Sequence, residues 1–488
     1  MFWLWILLIV LSGVVVYDLC QRRHAILRNF PIIGHFRYFF ESVGPEFRQY
    51  IVADNDEERP FSRDQRRWVY ASSKRDNVYF GFGSDNEMER SPNYLIVKHQ
   101  TFPLNAPDPT GADYDPQHRI PCAKVIGESR GRTNAFRPPS VINISGMSFG
   151  SLSGPAVEAL NEGAAIAECL QNTGEGAVSQ HHLCGGDLVW QIGTGYFGCR
   201  DETGNFSMAR LKEGVARYPT VKAIEIKLSQ GAKPGVGGFL PSRKISPEIA
   251  AARGIPLARD CVSPGSHREF HDADSLLDFV EAMADETGLP VGIKSAVGEL
   301  AFWNDLADKM TNTGRGVDFV AIDGGEGGTG AGPLVFTDHV ALPFKVGFNR
   351  VCQIFHRAGI AENVVFIGSG KLGFPQDALL AFGLGCDMIN VGREAMIAIG
   401  CIQAQQCHTN RCPTGVATQN KWLSGGLDPS LKSVRVANYI VALRKDLLSL
   451  TRACGVAHPG QVKADQLEFL DDRFGAKTVA EIFDRRIT

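Results

Sequence analysis

The sequence lacks several patterns that mark common protein classes. Its 488 residues hold no basic stripe and no basic run interleaved with aromatic residues, and the formal net charge is −3, so nucleic-acid binding is not predicted. No G-x-G-x-x-G follows the first predicted strand and no other NAD(P)H motif is visible, which argues against a Rossmann-like sheet. Paired C-x2-C ligands, the usual zinc pattern, are also missing.

The first residues lack charge altogether. Phe2–Tyr17 is uncharged and apolar, and with its neighbours it approaches the ~20 residues that a spanning helix needs. A cleaved signal peptide would carry a basic region and a small-residue cleavage site, and neither is obvious. Arg22, Arg23 and Arg28 follow instead, so the positive-inside rule places the rest of the chain in the cytoplasm. We therefore predict a single-pass membrane anchor over residues 1–20, with a buried core helix as the alternative.

Short runs rich in Val and Ile alternate with helical patterns from Val141 onward. Near-continuous apolar strands alternating with helices are typical of a parallel sheet, and eight such units predict an α/β fold, a (β/α)8 TIM barrel. The predicted strands are Val141–Ile144, Ala167–Leu170, Leu188–Ile192, Ala223–Leu228, Val291–Lys294, Phe319–Ile322, Val364–Ile367 and Met388–Val391.

The predicted barrel divides the chain into four parts. After the anchor, residues 21–135 form an irregular extension, 136–425 the barrel with a cysteine-rich segment, and 426–488 a helical tail.

Glycines cluster where the last three predicted strands end. Barrels often bind phosphate in the loops after strands seven and eight, where glycine lets backbone N–H groups approach the oxygens. We expect a phosphate-bearing cofactor at Gly324, Gly325, Gly328, Gly368, Gly370, Gly392 and Arg393.

Three cysteines, Cys401, Cys407 and Cys412, fall within twelve residues and Pro413 follows the last. Thiolates at such spacing can converge on an iron–sulfur cluster. Three local ligands suit a [3Fe–4S] cluster, or a [4Fe–4S] cluster with a fourth ligand from elsewhere. Zinc and three buried, inert cysteines are the alternatives.

The sequence around these cysteines resembles the iron–sulfur segment of glutamate synthase large subunits. The resemblance covers more than half of the chain and includes Met147-Ser148-Phe149-Gly150, Asn172-Thr173-Gly174-Glu175-Gly176, Gln230-Gly231-Ala232-Lys233-Pro234-Gly235, the Lys294 region, Gly327-Gly328-Thr329-Gly330-Ala331 and Gly400–Gln419.

The resemblance implies FMN and a [3Fe–4S] cluster in a barrel that reduces 2-iminoglutarate to glutamate. Met147, Ser148 and Lys294 would then lie beside the flavin, where a cation stabilises its reduced form. Lys233 and Gln230 could hold a dicarboxylate, and Glu175 or Lys233 could protonate the imine.

The chain also departs from the family pattern. Val236 replaces a carboxylate, Ala177–Ser179 replace acidic residues, Asp323–Glu326 replace Ser-Gly-His-Asp, and no glutaminase half with a catalytic cysteine after Met1 is present. The first of three hypotheses is a membrane-tethered oxidoreductase acting on 2-oxoglutarate, or a related keto acid, and ammonia. The second is a flavoenzyme for another amine or keto acid, and the third an electron-transfer subunit. A ferredoxin-like or membrane-bound electron donor is expected.

Overall fold

The computed structural model describes residues 1–21, 24–54, 56–76, 79, 81–89, 91–112, 114–471, 473 and 475–484. It divides into two compact units, Met1–Arg67 and Trp68–Thr488.

The larger unit is built on a closed barrel of eight parallel strands. The last strand pairs with the first through Ile389 and Ile142, which closes the sheet on itself. The barrel strands are β1 (Ile142–Ile144), β2 (Gln171–Asn172), β3 (Leu188–Ile192), β4 (Val221–Lys227), β5 (Val291–Ala296), β6 (Phe319–Asp323), β7 (Val365–Ser369) and β8 (Met388–Val391). The predicted α/β barrel is therefore confirmed.

The second strand was misplaced by the sequence pattern. The helix Gly154–Ala167 includes Ala167, the first residue of the predicted strand, and it ends where Glu168 adopts a left-handed conformation at φ 50°. The strand starts later, at Gln171. A short apolar run does not distinguish a buried helix end from a buried strand, which is the reason for the error.

Helices and 3-10 turns surround the barrel. Their bounds are Arg63–Lys74, Glu128–Arg130, Gly154–Ala167, Gln180–His182, Met208–Arg217, Ser242–Lys244, Pro247–Arg253, Ala273–Thr287, Ala301–Thr313, Leu334–His339, Phe344–Arg357, Ala361–Asn363, Pro375–Gly383, Arg393–Ala398, Lys421–Ser424, Pro429–Ala453, Pro459–Gln461, Ala464–Gln466 and Val479–Ile482. The long helix Pro429–Ala453 lies within the segment predicted to be a helical tail. It packs closely on Gly154–Ala167, since a Cβ at Gly163 would lie 2.0 Å from Val436 Cγ1.

Two small antiparallel sheets lie outside the barrel. Tyr94–Val97 pairs with Leu467–Leu470, which pairs with Ala476–Thr478, so a strand of the extension is joined to the tail. Phe239–Leu240 pairs with Cys261–Val262 inside the long excursion between β4 and β5.

The smaller unit begins with the helix Phe2–Cys20, followed by Ala25–Asn29, Ile33–Phe47 and a π-helical turn, Arg48–Val52. Among the described residues, Phe2–Cys20 is the one helix long and apolar enough to cross a membrane. Arg22 and Arg23, on which the predicted orientation partly rests, lie outside the described residues.

Candidate active site

The loops after β4, β6 and β7 meet at the carboxyl end of the barrel. A Cβ at Gly231 would lie 1.8 Å from the Gly324 carbonyl oxygen, and one at Gly370 would lie 3.3 Å from Gly324 Cα. The Gly324 N–H donates to the Ser369 carbonyl at 2.8 Å. Glycine at these positions lets the three backbones approach, so the glycines predicted after β6 and β7 lie together.

Arg393 joins the β8 end to the loop after β6. Its guanidinium donates to the Glu326 carbonyl, and a Cβ at Gly328 would lie 2.6 Å from Arg393 Cδ. The Glu326 carboxylate accepts from the Phe344 N–H at 2.9 Å, which fixes the other side of that loop. Gly392 lies beside the loop after β1, with a Cβ position 3.4 Å from Ser145 Cβ.

Two of the predicted glycines have packing reasons of their own. A Cβ at Gly368 would lie 2.8 Å from both Cys386 Sγ and Phe344 Cζ, among buried side chains. A Cβ at Gly325 would lie 2.8 Å from the Ala341 carbonyl oxygen. Close packing alone therefore accounts for glycine at both positions.

Lys294 forms a buried ion pair at the ends of β5 and β6. Its Nζ lies 3.1 Å from Asp323 Oδ2, with side chains 8% and 11% exposed. Burial by itself would lower the pKa of Lys294, but Asp323 and Glu225 outweigh it and the net pKa is raised. The other carboxylate oxygen, Asp323 Oδ1, is buried and has no hydrogen-bond partner among the described residues. The pair thus offers a fixed cation and an available acceptor.

Glu175 and Gln230 are connected by a lysine that the sequence analysis did not single out. Lys227 Nζ lies 3.1 Å from Glu175 Oε1 and donates to Gln230 Oε1 at 2.6 Å. Burial would raise the pKa of Glu175, yet Lys227, with help from Lys233, lowers it overall. Glu175 is therefore held as a carboxylate.

Lys233 is almost fully buried beside this group, with 5% exposure. Among the described residues the one hydrogen bond of its ammonium is a long one, 3.4 Å to the Gly237 carbonyl. Burial lowers the pKa of Lys233, and Glu175 offsets only part of that effect. Lys233 is thus a buried cation with little compensation from the protein. A small cavity beside it is lined by Glu175, Lys227, Gln230 and Val236, among others.

Met147 and Ser148 lie in the loop after β1, against the loop after β2. Gly174 has φ +65°, and a Cβ there would lie 2.5 Å from the Ser148 backbone nitrogen. Ser148 Oγ donates to Ser151 Oγ at 3.2 Å, and Met147 is half-buried.

Glu225 is another buried polar group that the sequence analysis missed. Its Oε1 accepts from Asn172 Nδ2 at 2.8 Å and from Gln191 Nε2 at 2.6 Å. Burial raises the pKa of Glu225. The sequence did contain a usable signal, because Glu225 and Lys227 are two residues apart in a predicted strand, Ala223–Leu228, that is otherwise apolar, and they therefore share one face of it.

The cysteine segment packs against the loop after β1 through Lys244. The ammonium of this buried lysine donates to three carbonyls, of Ser151 at 2.8 Å, Cys407 at 3.3 Å and Ala417 at 3.3 Å. Gln419 Nε2 adds a hydrogen bond to the Leu152 carbonyl at 2.7 Å. The segment that contains the cysteines is therefore attached to the barrel mouth.

Cys407 and Cys412 lie close enough to influence each other. Burial raises the pKa of the Cys407 thiol, Cys412 raises it further, and Lys244 opposes both. Cys401 is half-buried at the start of the segment, where its carbonyl accepts from the Tyr70 hydroxyl at 2.8 Å. Within the described residues no group of three His, Cys, Asp or Glu side chains is placed to hold a single metal ion.

Comparison with known proteins adds family information to this geometry. Residues 124–457 match a family model described as the conserved region in glutamate synthase. The glutamate synthase large subunit-like protein YerD of Bacillus subtilis is 36% identical over 481 residues, covering 93% of this chain and 91% of that protein.

Two further relatives match about two thirds of this chain. An archaeal glutamate synthase [NADPH] of Methanocaldococcus jannaschii is 36% identical over 64% of this chain and 59% of its own length. A ferredoxin-dependent glutamate synthase of Cyanidium caldarium is 32% identical over 67% of this chain and 22% of its own length. The chain thus spans most of YerD, about three fifths of the archaeal protein and under a quarter of the ferredoxin-dependent one.

Proposed function

The chain belongs to the glutamate synthase family and is an oxidoreductase, and on that premise we propose that it carries FMN and an iron–sulfur cluster. We further propose that it reduces the imine of 2-oxoglutarate and ammonia to glutamate. The observation that carries the proposal is the poorly compensated Lys233 ammonium beside Glu175, Lys227 and Gln230 at the barrel mouth.

The carboxyl end of the barrel provides hydrogen-bond donors, acceptors and a cation that suit FMN. Gly324 and Gly370 let the loops after β6 and β7 approach each other at this end of the barrel, and Arg393 contributes a guanidinium. The Lys294 ammonium supplies the cation that stabilises a reduced flavin, and Asp323 Oδ1 supplies an acceptor for a hydroxyl or N–H group. Bound FMN would supply the hydride.

The cysteine segment offers the type of ligand that an iron–sulfur cluster requires. Cys401, Cys407 and Cys412 offer three thiolates, and each would bind a different iron of a [3Fe–4S] cluster. Lys244 would hold their segment against the loop that contains Met147 and Ser148. This placement supports electron transfer between a cluster and a flavin.

Lys233 is the residue we assign to a substrate carboxylate. A buried ammonium with one long hydrogen bond gains most from a new anionic partner, because its own solvation has already been lost. The alternative role for Lys233 is to protonate the imine instead of binding the carboxylate. Burial lowers its pKa, whereas Lys227 holds Glu175, the other candidate donor, as a carboxylate.

The test uses the full-length protein in detergent with chemically reduced flavin. Reoxidation by 2-oxoglutarate plus ¹⁵N-ammonium should yield labelled glutamate, detected by mass spectrometry. Lys233→Ala should lower the apparent affinity for 2-oxoglutarate by roughly ten- to a hundredfold, since a hydrogen bond to a charged group contributes about 1.5–3 kcal/mol. Flavin and iron content should not change.

Lys222→Ala is the matched control. Lys222 lies at the opposite end of β4, 37% exposed and 3.6 Å from Asp187, so its removal should leave reoxidation unchanged. Equal losses in both variants would argue against a substrate role for Lys233. No labelled glutamate from the unmodified protein would reject 2-oxoglutarate and ammonia as the substrates.

A different keto acid or amine is the second candidate. Val236 is exposed and lines the small cavity beside Glu175 and Lys227, where the family pattern has a carboxylate. A less polar wall favours a less polar substrate. Faster reoxidation by a monocarboxylic keto acid than by 2-oxoglutarate would select this candidate.

We also propose that Phe2–Cys20 anchors the chain in a membrane with the catalytic unit in the cytoplasm. The helix is apolar, and few of its residues are buried inside the protein. The names of relatives give NADPH for one and ferredoxin for another, and the lack of a visible NAD(P)H motif favours a ferredoxin-like donor here.

A further inference from the structure

The helix Ile33–Phe47 has an exposed apolar side that its own unit leaves uncovered. This phenylalanine face consists of residues that are each about half or more exposed: Ile33 70%, Phe36 61%, Phe39 57%, Phe40 59% and Phe47 48%. Their spacing of three, four and seven residues places them on one side of the helix. An exposed apolar surface of this kind usually marks an interaction site.

The start of this helix is fixed to the end of Phe2–Cys20. The Asp18 carboxylate, fully buried, accepts from the Ile32 N–H at 3.0 Å and contacts His35 Nε2 at 2.9 Å. Gly34 packs on the short helix between them, with a Cβ position 3.0 Å from Leu27 Cδ2. The two helices are therefore joined at a defined point.

If the helix Phe2–Cys20 spans a bilayer, the point where the two helices join lies at a defined depth in that bilayer. This inference therefore rests on the membrane anchor given under the proposed function. Nineteen residues of helix are about 28 Å long, close to the ~30 Å of a hydrocarbon core. The last turn, which holds Asp18, would then reach the headgroup region. Ile33–Phe47 would begin at that level.

We propose that the helix Ile33–Phe47 lies in the interface of the same bilayer with its phenylalanine face toward the acyl chains. Phenylalanine is favoured on the buried side of interfacial helices, and such a helix gains from apolar area placed in the headgroup–acyl boundary. The other side carries the exposed Glu41 and Ser42, which remain in water, and the exposed Arg37 and Glu46 flank the phenylalanine face. Exposed Tyr50, Ile51 and Val52 extend the apolar surface beyond the helix.

The experiment places a photoreactive p-benzoylphenylalanine in the full-length protein, reconstituted in phosphatidylcholine vesicles. Phe40 is the test position, Leu8 in the first helix is the positive control, and Ser42 is the negative control on the polar side. After irradiation, mass spectrometry identifies lipid and protein adducts. We expect lipid adducts at Leu8 and Phe40, with roughly tenfold more at Phe40 than at Ser42.

The outcomes separate this inference from the anchor itself. Lipid adducts at Leu8 with none at Phe40 would overturn the interfacial helix while the anchor stands. Crosslinks from Phe40 to a second copy, or to another part of the same chain, would also overturn it. The absence of lipid adducts at Leu8 would refute the anchor and the interfacial helix together.

Discussion

The buried Lys294–Asp323 pair gives a stability prediction that can be worked from the structure. At 3.1 Å and an effective dielectric of about 20, the two charges attract by about 5 kcal/mol. Lys294→Met should leave Asp323 as an uncompensated buried charge, which typically costs 3–5 kcal/mol. That is a large part of the ~5–15 kcal/mol that stabilises a folded protein.

Removing the Asp323 charge as well should recover most of the stability lost in Lys294→Met. Asp323→Asn added to Lys294→Met removes both charges of the pair, and replacing a buried pair by neutral groups is often tolerated. The assay is urea unfolding of the flavin-free protein in detergent, followed by near-ultraviolet circular dichroism. The coupling energy then comes from a double-mutant cycle.

An exposed pair provides the control. Lys212 and Glu286 are paired with side chains 51% and 47% exposed, so Lys212→Met should change the free energy of unfolding by less than about 1 kcal/mol. A comparably small effect of Lys294→Met would refute the buried-pair argument. So would a double variant less stable than the single one.

Two other predictions concern pH and iron. Burial lowers the pKa of His182 to about 3, so this ring stays neutral in the folded chain while it protonates in the unfolded chain near its ordinary value. The free energy of unfolding should therefore fall as pH drops below about 6.5, by up to ~1.4 kcal/mol per pH unit. His182→Gln should reduce this pH dependence, measured by urea unfolding at pH 7, 6 and 5. An unchanged pH dependence in the variant would contradict the prediction. Cys407→Ser should lower the iron and sulfide content of the purified protein. The control Cys184→Ser lies outside the cysteine segment and should leave both contents unchanged. Zinc without sulfide in the unmodified protein would reject the iron–sulfur cluster.

Much of the fold follows from local patterns. Seven of the predicted strands overlap observed ones, because near-continuous apolar runs of Val and Ile are typical of strands buried on both faces. The apolar terminal helix and the long tail helix follow from composition and spacing in the same way. The second strand was misplaced because the short, mostly apolar run Ala167–Leu170 fits a helix end as well as a strand.

The candidate site was only partly accessible from the sequence. Lys294, Glu175, Gln230 and Lys233 were found through their motifs, but the partner that connects two of them, Lys227, was not. It lies within a predicted strand, where its importance depends on which way the side chain points.

The sequence by itself determined the local structure: barrel-type strands, an apolar first helix, and the segments that contain glycine and cysteine. Barrel closure decided the rest, because it brings together residues far apart in the chain. Lys244 reaches the carbonyls of Ser151 and Ala417, which are separated from it by 93 and 173 residues. Likewise the close approach of Gly231 to Gly324 depends on the ends of β4 and β6 lying near each other. Such contacts depend on the angle and register at which eight strands close, and no short stretch of sequence encodes those quantities.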